Sequence, residues 1–251
     1  MIIGMYSGGA SSFMACLRVK PDVLLFADTG EEHPSLYESL EKGAGVIGAP
    51  LVKVGVMGGM TEVIATHRAI PSSRLPFCSY DLKVKPCNDW LQTNAKGAQV
   101  VIGYIWEEQE RIKRTRDQYA KRGHEALFPL VDQKPWLTQQ ECIEEHKRLV
   151  GVQSLYEQGF PHNNCGGACV KAGISQWKRL LEVDPERFAL WEQREAEISQ
   201  LHGKPCTVLK RYKKPYRLQQ LRSDVLANVP LPMHEYGGCG CFSDDHRRKM
   251  K

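Results

Sequence analysis

Ser7-Gly8-Gly9-Ala10-Ser11-Ser12 stands between the apolar run Met1-Ile2-Ile3-Gly4-Met5-Tyr6 and a helical pattern from Ala10 to Val19. These residue types at a strand-to-helix junction suit a phosphate or pyrophosphate. Glycine lets the backbone turn tightly and approach a ligand. The start of a helix offers free N–H groups and partial positive charge, and Ser7, Ser11 and Ser12 add hydroxyls. The plainer alternative is a glycine turn with a serine helix cap. No Gly-Lys-Ser/Thr follows, so the loop is not a Walker A sequence. Gly43-Ala44-Gly45-Val46-Ile47-Gly48 matches the dinucleotide pattern. It ends a helix and precedes a strand, the reverse of what that site needs, and reads as a helix exit and turn.

The cysteines carry the second chemical signal. There are nine, Cys16, Cys78, Cys87, Cys142, Cys165, Cys169, Cys206, Cys239 and Cys241. An odd number without an export signal reads as a reducing compartment, the cytoplasm, where metal or sulfur chemistry is favoured over disulfides. Cys16 and Cys142 fall inside helical patterns and read as small core residues. Three groups lie apart from these: Cys78; Cys165-Gly166-Gly167-Ala168-Cys169, after Asn163-Asn164; and Cys239-Gly240-Cys241, between Gly238 and Phe242. Soft thiolates gathered in this way select iron–sulfur clusters or zinc, and the alternative for each is an inert buried thiol. His162 and His234 are near enough in the sequence to join a zinc site. Cys87 is a further candidate, or simply part of a helix turn opened by Pro86.

Such residues need a scaffold. Met1–Tyr6, Val23–Ala27, Leu51–Val56 and Gln99–Ile105 read as strands, with helices over Ala10–Val19 and from Pro34 to about Val46. Apolar strands alternating with helices predict an α/β fold: an open, mostly parallel twisted sheet with helices on both faces. Glu107–Arg122 reads as a charged surface helix, and Thr138-Gln139-Gln140-Glu141 is a capping box opening another. Asp184-Pro185-Glu186 starts a helix that puts Phe188, Trp191, Ile198 and Leu201 on one face and stops at Gly203. The expected division is a nucleotide-binding core over 1–150 and a docked helical and loop extension over 151–251 that carries cysteines. Trp90, Trp106, Trp136, Trp177 and Trp191 read as core or interface residues rather than base-stacking platforms.

Composition narrows the classes. Of 251 residues, 42% are hydrophobic and 25% charged, enough for a packed core and against general disorder. No apolar run reaches the roughly 18 residues that span a bilayer, so no membrane partner is expected. The net charge of +5 is mild and permits an anionic partner. Lys210-Arg211-Tyr212-Lys213-Lys214 and Arg247-Arg248-Lys249 concentrate it towards the end, as solvated surface or as a contact for nucleic acid or protein.

With these motifs in place, the chain resembles a family. Ser-Gly-Gly-x-x-Ser after the first strand is similar to the PP-loop of the adenine nucleotide α-hydrolases, or ATP pyrophosphatases. Asp28-Thr29-Gly30-Glu31-Glu32-His33-Pro34, Lys83-Val84-Lys85-Pro86, and Gly103-Tyr104 followed by Glu108 and Arg111 resemble its phosphoadenosine phosphosulfate (PAPS) reductase branch. The likeness spans roughly residues 1 to 183. It implies ATP, with Mg2+, across the carboxyl ends of the strands, held by Ser7, Gly8, Gly9, Ser11, Ser12, Asp28, Thr29 and Gly103. Lys83, Lys85 and Arg111 are candidates for neutralising phosphate charge, and Ser12 joins Lys83 and Arg111 in the catalytic set. His33 either shapes the nucleotide pocket or caps a helix. Related loops often carry Asp where this chain has Ser11, which bears on how metal is handled there.

Adenylylsulfate reductases of this superfamily place cysteines just before a similar lysine stretch and a later short-spaced pair around a four-iron cluster. By that resemblance Cys78, Cys165 and Cys169 are expected to hold a [4Fe-4S] cluster, with Cys239 as the fourth ligand and zinc as the alternative. Cys241 could replace Cys239 or serve as a catalytic sulfur carrier. The implied function is an ATP pyrophosphatase that adenylates an acceptor for sulfur incorporation into nucleic acid, by DNA phosphorothioation or tRNA thiolation. A cysteine desulfurase would then be the sulfur donor, and a homodimer remains open. A sulfonucleotide reductase releasing sulfite is the second reading. Its usual Glu-Cys-Gly-Leu/Ile-His ending is replaced here by Tyr236-Gly237-Gly238-Cys239-Gly240-Cys241-Phe242. The third is a metal-stabilised nucleic-acid-binding protein without catalysis.

Overall fold

A computed structural model describes residues 1–151 and 155–231. Cys239, Cys241, His234 and the basic run 247–249 lie outside the described residues. In chain order the elements begin with β1 (Ile2–Met5), α1 (Ala10–Val19), β2 (Val23–Asp28), α2 (Pro34–Ile47), β3 (Leu51–Gly55) and α3 (Gly59–His67). A continuous helical rod follows, made of α4 (Phe77–Ser79), a π-helical turn (Tyr80–Val84) and α5 (Lys85–Asn94). Next come β4 (Gln99–Val101), a 3-10 turn (Trp106–Glu108), α6 (Gln109–Ala120), β5 (Glu125–Leu127), α7 (Pro129–Asp132) and α8 (Gln139–Val150). The chain continues with a 3-10 turn (Asn164–Gly167), α9 (Ile174–Val183), α10 (Pro185–His202), β6 (Leu209–Arg211), β7 (Lys214–Tyr216) and α11 (Leu218–Leu226).

The main sheet is entirely parallel, in the order β3-β2-β1-β4-β5. Its register sets Ile3 opposite Val23 on one side and Val100 on the other. The pleat sends alternate residues to opposite faces. Leu24 and Phe26 join the core under α1, α2 and α8, together with Phe13, Leu36 and Cys142. Leu25 and Ala27 join Ile3 and Met5 in the core under α5 and α6. Each of the leucine, isoleucine, phenylalanine and methionine side chains contributes about 1.5–3 kcal/mol by leaving water. The α/β architecture with both faces covered is therefore present.

A third core gathers α9, α10 and α11 onto α3. Trp177 and Trp191 meet edge to face at 5.6 Å in its centre, beside Phe188. Among the described residues, no helix is long and apolar enough to cross a membrane.

Several local expectations change. β5 was not expected, and the run Gln99–Ile105 pairs as a strand only over Gln99–Val101. Beyond residue 151 a short antiparallel hairpin, β6–β7, joins the helices, and its basic tip holds Tyr212 and Lys213 at φ 52° and 64°. Leu201 leaves the apolar face and is 48% exposed. Steps of three residues drift backwards around a helix of 3.6 per turn, so by Leu201 the stripe has rotated away. Glu195 occupies the buried line instead. Two of the five tryptophans, Trp106 and Trp136, are each 44% exposed and stack on one another rather than entering a core. Gly43 to Gly48 does end α2, and Gly48 is its left-handed cap at φ 81°.

Candidate functional site

The strand order reverses between β1 and β4. β1 leads to β2 on one side and β4 to β5 on the other, so their following loops diverge. Open parallel sheets bind ligands in the crevice this creates. A cavity of about 310 Å3 lies there, walled by the Ser7–Ser12 loop, Glu32, Lys83, the Gly103–Arg111 segment, Gln139 and Tyr156.

The loop is built around Ser12. Its hydroxyl donates to the Gly9 carbonyl at 2.8 Å and accepts from the Ser7 amide at 3.2 Å, with the Ser7 hydroxyl 3.1 Å away. Gly8 takes φ +74°, a conformation suited to glycine. Ser11 donates to Gln139 Oε1 at 2.8 Å, which ties the loop to the start of α8. The N-cap of α1 is Gly9, and no side chain caps it. Its first-turn N–H groups therefore have no capping side chain, and the serine-cap alternative falls away. Gly103 permits the close approach of the segment after β4 to this turn: a Cβ there would stand 2.5 Å from Ser12 Cα.

Two cations face the cavity. Lys83 is 6% exposed and sits in the π-helical turn, with Nζ 3.6 Å from Glu32 Oε1. Such turns recur at functional positions because the wider coil redirects a side chain. Arg111 pairs with Glu108 and lies 4.3 Å from the Tyr104 ring centroid. Lys85 is excluded: its side chain is 57% exposed and bonds Asp89 at 2.7 Å in solvent. Residues two apart on a helix point to opposite sides.

Asp28 and Thr29 take other positions than the resemblance implies. Asp28 accepts from the Gly30 amide and the Tyr37 hydroxyl, and borders a neighbouring groove. Thr29 is buried, donates to Glu32 Oε1 at 3.1 Å and accepts from the Glu31 amide. Together they shape the turn that aims Glu32. That carboxylate, to which the sequence assigned no role, also accepts from the Cys165 amide at 2.5 Å. It therefore joins the cavity to the cysteine loop. His33 caps α2, its Nδ1 accepting from the Ser35 amide, and borders a separate hollow.

Cys78, Cys165 and Cys169 line one small cavity, of which Thr29 and Lys83 are also walls. A hydrogen bond between the two later thiols, and then burial, push Cys165 well above the ordinary thiol range. Cys165 holds φ 54° and ψ 35°, a strain of about 1–3 kcal/mol for a residue with a side chain. The glycines after it are required by crowding. A Cβ on Gly166 would meet the Glu31 carbonyl oxygen at 2.8 Å, one on Gly167 would meet Phe160 Cε1 at 2.8 Å, and both residues take positive φ, +55° and +85°.

Three soft donors from two segments are the chemistry a cluster takes. The gap between them is about 20 Å3, the room of one water, so as it stands this is a narrow thiol pocket, with Cys78 and Cys165 only partly buried. Among the described residues, no three His, Cys, Asp or Glu side chains are arranged for a single metal ion. His162, considered as a zinc partner, faces the larger cavity instead. Cys87 is a core thiol, raised to about 12 by burial. Gln139 and Tyr156 join the site through tertiary packing, and no local pattern marks them. No protein-family model and no curated protein matches the chain.

Proposed function

We propose that the chain is an ATP pyrophosphatase that adenylates an acceptor for sulfur incorporation into nucleic acid. One observation carries the reading: the uncapped first turn of α1 opens onto a cavity that also presents Lys83 and Arg111. Backbone N–H groups of Ala10 to Ser12 hold phosphate oxygens, and the two cations neutralise charge as it grows in the transition state. An acceptor oxygen attacks the α-phosphorus. The bond to the bridging oxygen breaks, and pyrophosphate leaves with its electron pair. A sulfur nucleophile then forms a bond to the acceptor and displaces AMP. The thiol pocket shares Lys83 with the nucleotide cavity and is bound to it through Glu32, which supports sulfur chemistry beside the adenylated site. A cluster on Cys78, Cys165 and Cys169, completed by Cys239 or Cys241, would supply soft sulfur or iron chemistry when bound. Mg2+ would accompany the triphosphate, and a cysteine desulfurase would supply sulfur.

Calorimetry with ATP, followed by assay of pyrophosphate release with total tRNA or DNA, tests the reading. Binding that weakens at least tenfold in Arg111→Gln, with pyrophosphate released by the wild type, is expected. Absence of heat with ATP overturns it. Because the thiol pair adjoins the cavity, a PAPS reductase is the second reading. Sulfite from PAPS and thioredoxin, without pyrophosphate from ATP, would establish that instead.

A further inference from the structure

The stacked pair Trp106 and Trp136 stands outside every core. Their ring centroids are 4.1 Å apart and their planes 15° from parallel, and each residue is 44% exposed. Both belong to segments that form the nucleotide cavity. Trp106 lies two residues from Tyr104 and two from Glu108, and Trp136 lies three before Gln139; all three of those residues line it. Neither ring lines the cavity itself, but the two segments that carry the pair both run into its wall.

The indole N–H of Trp136 and the loops of both rings are tied down. Trp136 Nε1 donates to the Val131 carbonyl at 2.9 Å. Arg18 donates to the carbonyls of Pro129, Gln133 and Pro135, which pins the loop carrying Trp136. Gln139 binds Ser11, and Gln109 donates to the Trp106 carbonyl at 2.8 Å. What remains available is rigid aromatic surface, held in place before any ligand arrives.

Resting on the adenylation reading, and naming the acceptor for it, we infer that this pair is a stacking platform for a base of a single-stranded or flipped-out stretch of nucleic acid. The surroundings favour a base over a protein. Glu107, Gln109, Lys134 and Gln140 around the rings are polar and exposed, whereas the centre of a protein interface is depleted of charge. The Lys134 ammonium lies 5.4 Å from the Trp136 centroid and the chain carries +5 overall, which suits the phosphate beside a stacked base. Base–aromatic stacking tolerates any base, so the platform places a nucleotide beside the cavity while other groups choose it.

The test uses fluorescein-labelled 20-nucleotide single strands, one RNA and one DNA, with fluorescence polarisation at low salt. Trp106→Ala and Trp136→Ala should each weaken binding about tenfold or more, and Trp106→Phe should restore it to within about threefold. ATP calorimetry should not change in any variant. Equal binding by wild type and alanine variants, or no binding of either strand, would overturn the platform. So would loss of ATP affinity together with the rings, which would assign them to adenine. A dimer in sedimentation that dissociates in the alanine variants would make the rings a protein contact and also overturn it. Strand binding through the rings in a protein that gives no heat with ATP would keep the platform and remove the adenylation reading alone.

Discussion

Lys83 shows how much depends on one turn of backbone. Its side chain lines both the larger cavity and the thiol pocket, while that of Lys85 two residues on reaches solvent. Lys83→Met should therefore lower pyrophosphate release by about 10²–10³, the usual loss when one donor to a developing oxyanion is removed. Lys85→Met should stay within about twofold. The first change also takes the ammonium from the buried Glu32 carboxylate, which keeps its bonds from the Cys165 amide and the Thr29 hydroxyl. It should destabilise the fold by about 1–3 kcal/mol. Adding Glu32→Gln should return much of the stability without returning the rate, a split that urea titration and the release assay read separately. If Lys83→Met and Lys85→Met proved equally active, Lys83 would be a structural partner of Glu32 and nothing more.

At the scale of the element, α8 presses on α1 and α2 through Cys142, His146 and Val150. His146 is 2% exposed, lies edge-on to Phe13 at 5.0 Å and meets the Ser39 hydroxyl at 3.1 Å. Burial lowers it to about 4 from the ordinary 6.5. Below pH 6.5 the unfolded chain takes up a proton here that the folded chain refuses until about pH 4. Stability is accordingly lost as pH falls through that window, by on the order of 2–3 kcal/mol. Urea midpoints for the wild type should fall between pH 7 and 4.5 more steeply than those of His146→Gln; parallel curves would refute the assignment. The opening of the same helix was legible in the sequence, because a capping box is local: Thr138 Oγ1 accepts from the Glu141 amide, and the Glu141 carboxylate accepts from the Thr138 amide. The succession from β1 to β3 was legible for the same reason, as were Gly48 and the turn at Ser7–Ser12. β5 was not, since three residues are too few to show a period. The hairpin turn at Tyr212-Lys213 lacks the Asn or Gly that marks such turns. Exposure of Trp106 and burial of Glu32 depend on distant segments, and no local pattern carries that information.

Across the whole molecule, two adjacent glutamates after β2 divide the assembly between them. Glu32 holds the cysteine loop. Glu31 receives Arg194 of α10 in a bidentate pair at 2.8 and 3.0 Å, both side chains 9% exposed. Arg194 also reaches Thr61 of α3, and Arg187 donates to the Glu31 carbonyl at 2.6 Å while crowding Gly166. The helices of the third core are thus registered against the carboxyl end of the sheet at the residue beside the one that fixes Cys165. Breaking one partner of such a buried pair strands a charge and costs about 3–5 kcal/mol, whereas replacing both by apolar groups is often near neutral. Glu31→Met and Arg194→Met should each lower the urea midpoint sharply, and the double change should recover most of it. The consequence for the site is separate from stability. Losing the register should free the strained Cys165 loop, so its thiols should react with an aromatic disulfide reagent at least several times faster in Arg194→Met under conditions where the protein remains folded. The double variant should keep that faster labelling even with stability restored, since Met at 31 and 194 packs without fixing a direction. If labelling instead returned to the wild-type rate along with stability, then apolar packing alone would set the loop, and the ion pair would have no part in placing the thiols beside the larger cavity.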